Sequence, residues 1–175
     1  MRTEYLNESL LGIFLEERIH NNFKHDKVLD NSNIRGRYDY IFYNEKLIVE
    51  FDGYRHFNTS KQILSDKRKD LIANQMGFNL IRIPYFIQLD SEVIEYYFKE
   101  VLNDYTVFNN YPHGFMDSKA MLPADYCELG QIEFTNFLKQ TEGTSFNKSI
   151  KDNLKDLLTK NDPRIVVYSD LINYL

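Results

Sequence analysis

A chain of 175 residues, 43% of them apolar, is long enough for one domain with a core of its own. Its single cysteine, Cys127, excludes an internal disulfide framework and a cysteine-rich zinc site, and predicts a reducing, cytoplasmic setting. The net charge of −5 argues against a generic polyanion binder, but residues 1–90 carry 13 Lys and Arg against 13 Asp and Glu, so the excess, 8 against 13, lies wholly in residues 91–175.

Leu10, Leu11, Phe14, Leu15 and Ile19 recur at helical spacing and predict a first helix from about Thr3 to His20. Lys24–Leu29 reads as a short strand, and Asp30–Gly36 as a turn-forming link. Arg37–Tyr43 and Lys46–Phe51 are then two strands of a hairpin around Asn44-Glu45. Gly53 breaks the pattern before an amphipathic helix over Ser60–Met76, which Gly77 closes. Phe78–Ile83 is a further core strand stopped by Pro84, and Ser91–Leu102 another helix.

Beyond it Asn109–Gly114 and Leu122–Ala124 are loop-like, Ile132–Gln140 and Phe146–Thr159 helical, and Ile165–Tyr168 a short strand. No stretch approaches the roughly 18 apolar residues of a membrane span, so a soluble chain with no membrane partner is expected. The order is α-β-β-β-α-β-α, an α/β layout with a mixed sheet flanked by helices and a mostly helical C-terminal extension. Residues 1–102 form the expected core; residues 103–175 are a separate module or an elaboration of it.

The hairpin carries the chemistry. With Asn44-Glu45 as the central turn residues, Tyr43 faces Lys46 and Asp39 falls opposite Glu50. Alternation puts Asp39, Ile41 and Tyr43 on a face with Ile48, Glu50 and Asp52. Like charges opposed across strands destabilise a sheet, by roughly 3 kcal/mol at about 5 Å and an effective dielectric near 20. A divalent cation would offset that, since Mg²⁺ is typically held by one or two carboxylates plus waters and phosphate oxygens. The plainer alternative is a solvated acidic face with Arg35, Arg37 or Arg55 as salt partners.

His56 follows Asp52-Gly53 within four positions, and an imidazole suits proton transfer at neutral pH. Asp66 could reach the same place from the following helix, and Lys67, Arg68 and Lys69 could contact phosphates. The alternative for this run is a solvated helix face with internal ion pairs. Glu8 shares a helix face with Leu11 and Leu15, pointing to the sheet or simply favoring the helix dipole.

Together these residues resemble the PD-(D/E)XK nuclease superfamily, and within it the very-short-patch-repair-like branch of phage and intron-associated endonucleases described as EDxHD. The resemblance spans roughly Glu8 to Tyr85 and rests on IVEFDGYRHF, the following DKRKDLIANQMGFNLIRIPY and the helix glutamate. It implies a restriction-endonuclease-like α-β-β-β-α-β core and Mg²⁺ or Mn²⁺ held by Asp39, Glu50, Asp52 and the Phe51 carbonyl. It also implies His56 as base or acid, Asp66 as its acidic helper and Glu8 as the helix acid, with Glu16 and Glu17 as alternatives.

The superfamily's usual lysine, two residues after the second acid, is replaced by Asp52, and His56 is the substitute the branch suggests. The expected activity is Mg²⁺-dependent hydrolysis of DNA phosphodiesters, with Arg35, Arg37, Arg55, Lys67, Arg68 and Lys69 on the phosphates and a homodimer as the route to double-strand cuts. Two other readings stand beside it: a nucleic-acid-binding protein that keeps the nuclease fold without turnover, and an acidic interaction protein working through its C-terminal half.

Overall fold

A computed structural model describes residues 6–20, 22–105, 123–163, 165 and 168–175. Helix α1 (Glu8–Arg18) is followed by strands β1 (Lys24–Val28), β2 (Arg37–Phe42) and β3 (Leu47–Asp52). Then come a one-turn helix α2 (Arg55–Asn58), helix α3 (Ser60–Gln75), strand β4 (Asn79–Pro84) and helix α4 (Ser91–Phe98). A 3-10 turn at Pro123–Asp125 leads into α5 (Glu128–Gln140), α6 (Ser145–Thr159) and α7 (Ser169–Tyr174).

The strands form one open mixed sheet in the order β1-β2-β3-β4, antiparallel up to β3 and parallel between β3 and β4. The parallel pair exists because α2 and α3 carry the chain back along the sheet before β4 begins. The α/β layout is the one expected from the sequence, and the one-turn helix α2 and the C-terminal helix α7 are additions to the expected order.

Element ends differ where caps decide them. Asn7 accepts the Leu10 N–H and so starts α1 at Glu8, about five residues after the expected start near Thr3, residues 1–5 lying outside those described. Thr59 and Thr144 cap α3 and α6 in the same way. Helix α4 ends at Phe98, and Leu102 N–H bonds back to the Phe98 carbonyl in a closing turn. The loop expected at Asn109–Gly114 lies outside the described residues. So does the middle of the strand expected at Ile165–Tyr168, whose described ends, Ile165 and Tyr168, belong to no strand.

The sheet has two apolar faces. Tyr40, Phe42, Leu47, Val49, Ile81 and Ile83 point into the larger cluster, shared with Leu11, Phe14 and Leu15 of α1. That cluster continues through Phe86, Val93 and Phe98 to Phe134, Leu138, Ile150, Leu154 and Leu171, so the described C-terminal helices share a hydrophobic core with the sheet. Ile41, Ile48, Tyr38, Ala73 and Phe78 form the smaller cluster, between the sheet and α3.

Two glycines permit close helix contacts. A Cβ on Gly12 of α1 would stand 2.5 Å from the Tyr40 hydroxyl, and one on Gly130 of α5 would stand 1.7 Å from the Phe57 carbonyl oxygen of α2. Helix α5 is thereby seated directly on the short helix that carries His56. Among the described residues, no helix is long and apolar enough to cross a membrane.

Candidate active site

The hairpin register is the expected one, with Tyr40 opposite Val49, Ile41 opposite Ile48 and Phe42 opposite Leu47. One step further, side chains take over from the backbone ladder. The Asp39 N–H donates to Glu50 Oε1 at 3.3 Å, and the Phe51 N–H donates to Asp39 Oδ2 at 2.7 Å. Asp39 is also where the alternation of β2 breaks, since Tyr38 packs with Ile41 on the α3 face while Tyr40 packs on the other. Across β1 the register leaves Asp26 beside Asp39, and Asp26 has a left-handed backbone (φ 48°). Aspartate is among the few residues that adopt this conformation readily.

Glu50 is the most buried acid of the group, 1% exposed. Its Oε1 and Oε2 accept from Lys69 Nζ at 2.9 and 2.8 Å, and Arg82 Nη1 lies 3.7 Å from Oε2. Burial pushes the Glu50 carboxyl up to about 7, against the pull of Lys69 and Arg82 and with the charge of Asp39 adding to it. Burial also raises the Asp39 carboxyl; the Phe51 N–H opposes this, and the charge of Glu8 at the start of α1 reinforces it. The two carboxylates therefore sit together at a site where full ionisation is costly.

Asp52, two residues along β3, is buried and accepts from Arg82 Nη1 at 2.6 Å. Arg82 comes from β4, where the parallel register places it beside Glu50, and its guanidinium also meets Asp70 of α3, Nε to Oδ1 at 2.9 Å. His56 Nδ1 lies 2.8 Å from Asp66 Oδ2 and 3.3 Å from Asp52 Oδ1, and Gln62 Nε2 holds the other Asp66 oxygen at 3.0 Å. Burial works against the imidazolium, but the hydrogen bond to Asp66 and the charges of Asp52 and Asp66 outweigh it, so His56 titrates above its ordinary value. Burial raises Asp66 too, yet His56 and Arg82 prevail and hold it below the usual carboxylate range.

The structure thus brings Asp39, Glu50, Asp52, His56 and Asp66 into one linked polar group, with Glu8 at its margin. Glu8 bears on Asp39 through its charge; its carboxylate lies 2.8 Å from His25 Nε2 on β1, while Glu16 and Glu17 are exposed on α1.

The basic residues divide differently from expectation. Lys69, expected on phosphates, is buried with its ammonium on Glu50, because its place on α3 faces the sheet. Lys67 pairs with Glu133 of α5 at 2.7 Å and Arg37 with Asp26 at 2.6 Å. Asp52, also expected as a metal ligand, pairs with Arg82 and lies 3.3 Å from His56 Nδ1. Arg35, Arg55 and Arg68 are exposed.

Sequence reasoning missed Arg82 and the inward role of Lys69. The signal for Arg82 was a lone charge in the otherwise apolar strand NLIRIP. For Lys69 it was the helical spacing to Ile72, Ala73 and Met76, of which Ala73 and Met76 pack with the smaller cluster.

Among the described residues no set of three His, Cys, Asp or Glu side chains is gathered as a metal cage. The pair Asp39 and Glu50 offers hard carboxylate oxygens, a donor set suited to Mg²⁺, which usually takes one or two carboxylates and completes its shell with water and phosphate. The donor chemistry fits Mg²⁺ and does not fit a site that must supply every ligand itself. No protein-family model, curated protein or solved structure matches the chain.

Proposed function

We propose that the protein is a metal-dependent DNA endonuclease of the restriction-endonuclease-like type, hydrolysing phosphodiester bonds. The observation that carries this reading is the interlocked pair at the open end of β2 and β3: Asp39 and Glu50 exchange hydrogen bonds with each other's strands, and both have raised carboxyls. Repulsion and burial of this kind are costs that function explains better than stability does.

In this reading Asp39 and Glu50 would hold Mg²⁺. When bound, the ion supplies charge stabilisation to the phosphate and lowers the pKa of bound water. Lys69 brings an ammonium to the second acid from α3, where the superfamily's pattern brings it from β3, and would stabilise charge that develops on the phosphate. His56, raised by its partners toward the protonated form, is better placed to act as an acid than as a base. As a water oxygen bonds to phosphorus and the P–O bond to the leaving group breaks, His56 gives its proton to the departing oxygen and the attacking water gives one proton up to solvent. Asp66 positions the ring and stabilises its charge, and the ring regains its proton from solvent.

The test is incubation with supercoiled plasmid, with and without Mg²⁺, for the wild type and for Asp39→Ala and Glu50→Ala. Metal-dependent nicking or linearisation that both substitutions abolish is the expected result; full activity in both variants refutes the assignment. A second reading, a nucleic-acid-binding protein without turnover, is favored by one observation: Lys69 and Arg82 already neutralise Glu50. It predicts retention of DNA with no cleavage in either Mg²⁺ or Mn²⁺.

A further inference from the structure

Helix α3 separates two depressions of similar size and opposite electrostatic character. The larger, about 370 Å³, lies between α3 and α5 and is the one that reaches His56. Its walls carry Asp52, Asp66, Asp70 and Glu133, and its two permanent cations are committed, Arg82 to Asp52 and Asp70, and Lys67 to Glu133. A phosphate entering there would meet carboxylates and no uncommitted guanidinium or ammonium.

The smaller depression, about 300 Å³, lies on the other flank of α3, against the link between β1 and β2. It is lined by Asn33, Ile34, Arg35, Gly36, Ser65, Arg68 and Lys69, with no acid among them. Arg35 and Arg68 carry no ion pair among the described residues, whereas Arg37 and Lys67 beside them do. Gly36 lets the link lie on the Lys69 stem: a Cβ there would be 3.3 Å from Lys69 Cδ and Cγ. That stem ends in the ammonium bound to Glu50, so an anion in this groove would sit one side chain away from the acid pair.

We infer that this Arg35–Arg68 groove, and not the larger cleft, seats the backbone phosphate of a nucleic acid strand as it approaches Glu50. The inference rests on the nuclease reading for the identity of the ligand, and rests on charge for its location. Guanidinium groups suit the task because their donors match phosphate oxygens in pairs, and Ser65 and Asn33 add neutral donors at the rim. Such contacts position a strand without reading its sequence. The backbone would then cross α3 from the side of the β1–β2 link, and only the bond to be cut would come within reach of His56 at the edge of the acidic cleft.

The experiment measures binding of a fluorescently labelled DNA duplex in EDTA across a salt series, together with plasmid cleavage in Mg²⁺. The proteins are the wild type, Arg35→Ala/Arg68→Ala, Arg35→Lys/Arg68→Lys and, as a control for charge elsewhere, Lys155→Ala on α6. The double alanine variant should bind about tenfold or more weakly, with a slope of log K against log salt reduced by about 1 to 2. The double lysine variant should keep the slope, and Lys155→Ala should match the wild type. Affinity and slope unchanged in the double alanine variant overturn the groove, as does a wild type that binds no DNA. A wild type that cleaves while the double alanine variant binds normally removes the groove and leaves the endonuclease standing. A wild type that binds, never cleaves, and loses binding in the double alanine variant does the reverse.

Discussion

Lys69 Nζ spans both carboxylate oxygens of Glu50, at 2.9 and 2.8 Å, yet the Glu50 carboxyl still titrates near 7. Desolvation therefore outweighs the attraction of two cations, the usual balance for a buried pair. The linkage has a definite sign. The folded value lies above the ordinary 4.5, so between about pH 4.5 and 7 the unfolded chain releases a proton that the folded chain keeps, and stability falls as pH rises through that window.

Glu50→Gln, which cannot ionise, escapes this loss. It should match the wild type at pH 4 and exceed it by about 1–3 kcal/mol at pH 8, while losing any cleavage activity. Urea denaturation at the two pH values checks this; a glutamine variant less stable than the wild type at pH 8 would mean that Lys69 needs the charge more than burial opposes it.

A second prediction concerns His56. Its titration lies above the ordinary histidine value because Asp66 and Asp52 outweigh burial, so the charged ring favors the folded state at low pH and that contribution is lost as pH rises through the raised value. Asp66→Asn keeps the size of the side chain and removes the charge. The imidazole titration, followed by NMR, should move to lower pH, and the alkaline limb of any cleavage profile should move with it. Asp66 would then be a positioning residue; an unmoved imidazole titration would deny it that role.

Metal binding gives a third. If Asp39 and Glu50 hold Mg²⁺, the ion stabilises the folded state by mass action, about 2.7 kcal/mol at a hundredfold excess over its dissociation constant. The Tm of the wild type should rise with Mg²⁺ at pH 8, and rise less at pH 6, where Glu50 keeps its proton. Asp39→Asn should abolish the shift. A wild-type Tm indifferent to Mg²⁺ at both pH values would count against the ligand pair.

Much of this arrangement was legible in the sequence because it follows from local rules. The turn over Tyr43–Lys46, centred on Asn44-Glu45, set the register, and register alone put Asp39 next to Glu50. His56 and Asp66 belong to consecutive helices, so their meeting needed only a tight link at Thr59. What stayed hidden depended on tertiary placement. Arg82 reaches Asp52 only because β4 pairs parallel to β3, and a strand's partner cannot be read from its own residues. Lys69 looked like one member of a solvated charge run, and only the docking of α3 turns it inward. Asp39 itself departs from simple alternation, since its carboxylate fills the hydrogen-bonding position opposite Phe51 N–H rather than standing on a face of the sheet.

The contact between α5 and α2 supplies the last prediction, because it ties the C-terminal half to the histidine. Gly130 lets α5 approach the Phe57 carbonyl so closely that a methyl group would overlap it at 1.7 Å, and neither partner is a flexible side chain. Gly130→Ala must therefore push α5 outward or shift α2, with the cost of overpacking, about 1–3 kcal/mol or more. Gly143→Ala is the contrasting substitution: open space surrounds it, and only its left-handed backbone (φ 91°) is at stake, about 1–2 kcal/mol. Both should lower the Tm, but only Gly130→Ala should also perturb the His56 imidazole, since Phe57 is its neighbour in the same helical turn. An alanine at 130 that leaves both the Tm and the imidazole as in the wild type would show that α5 does not bear on α2 as tightly as the geometry requires.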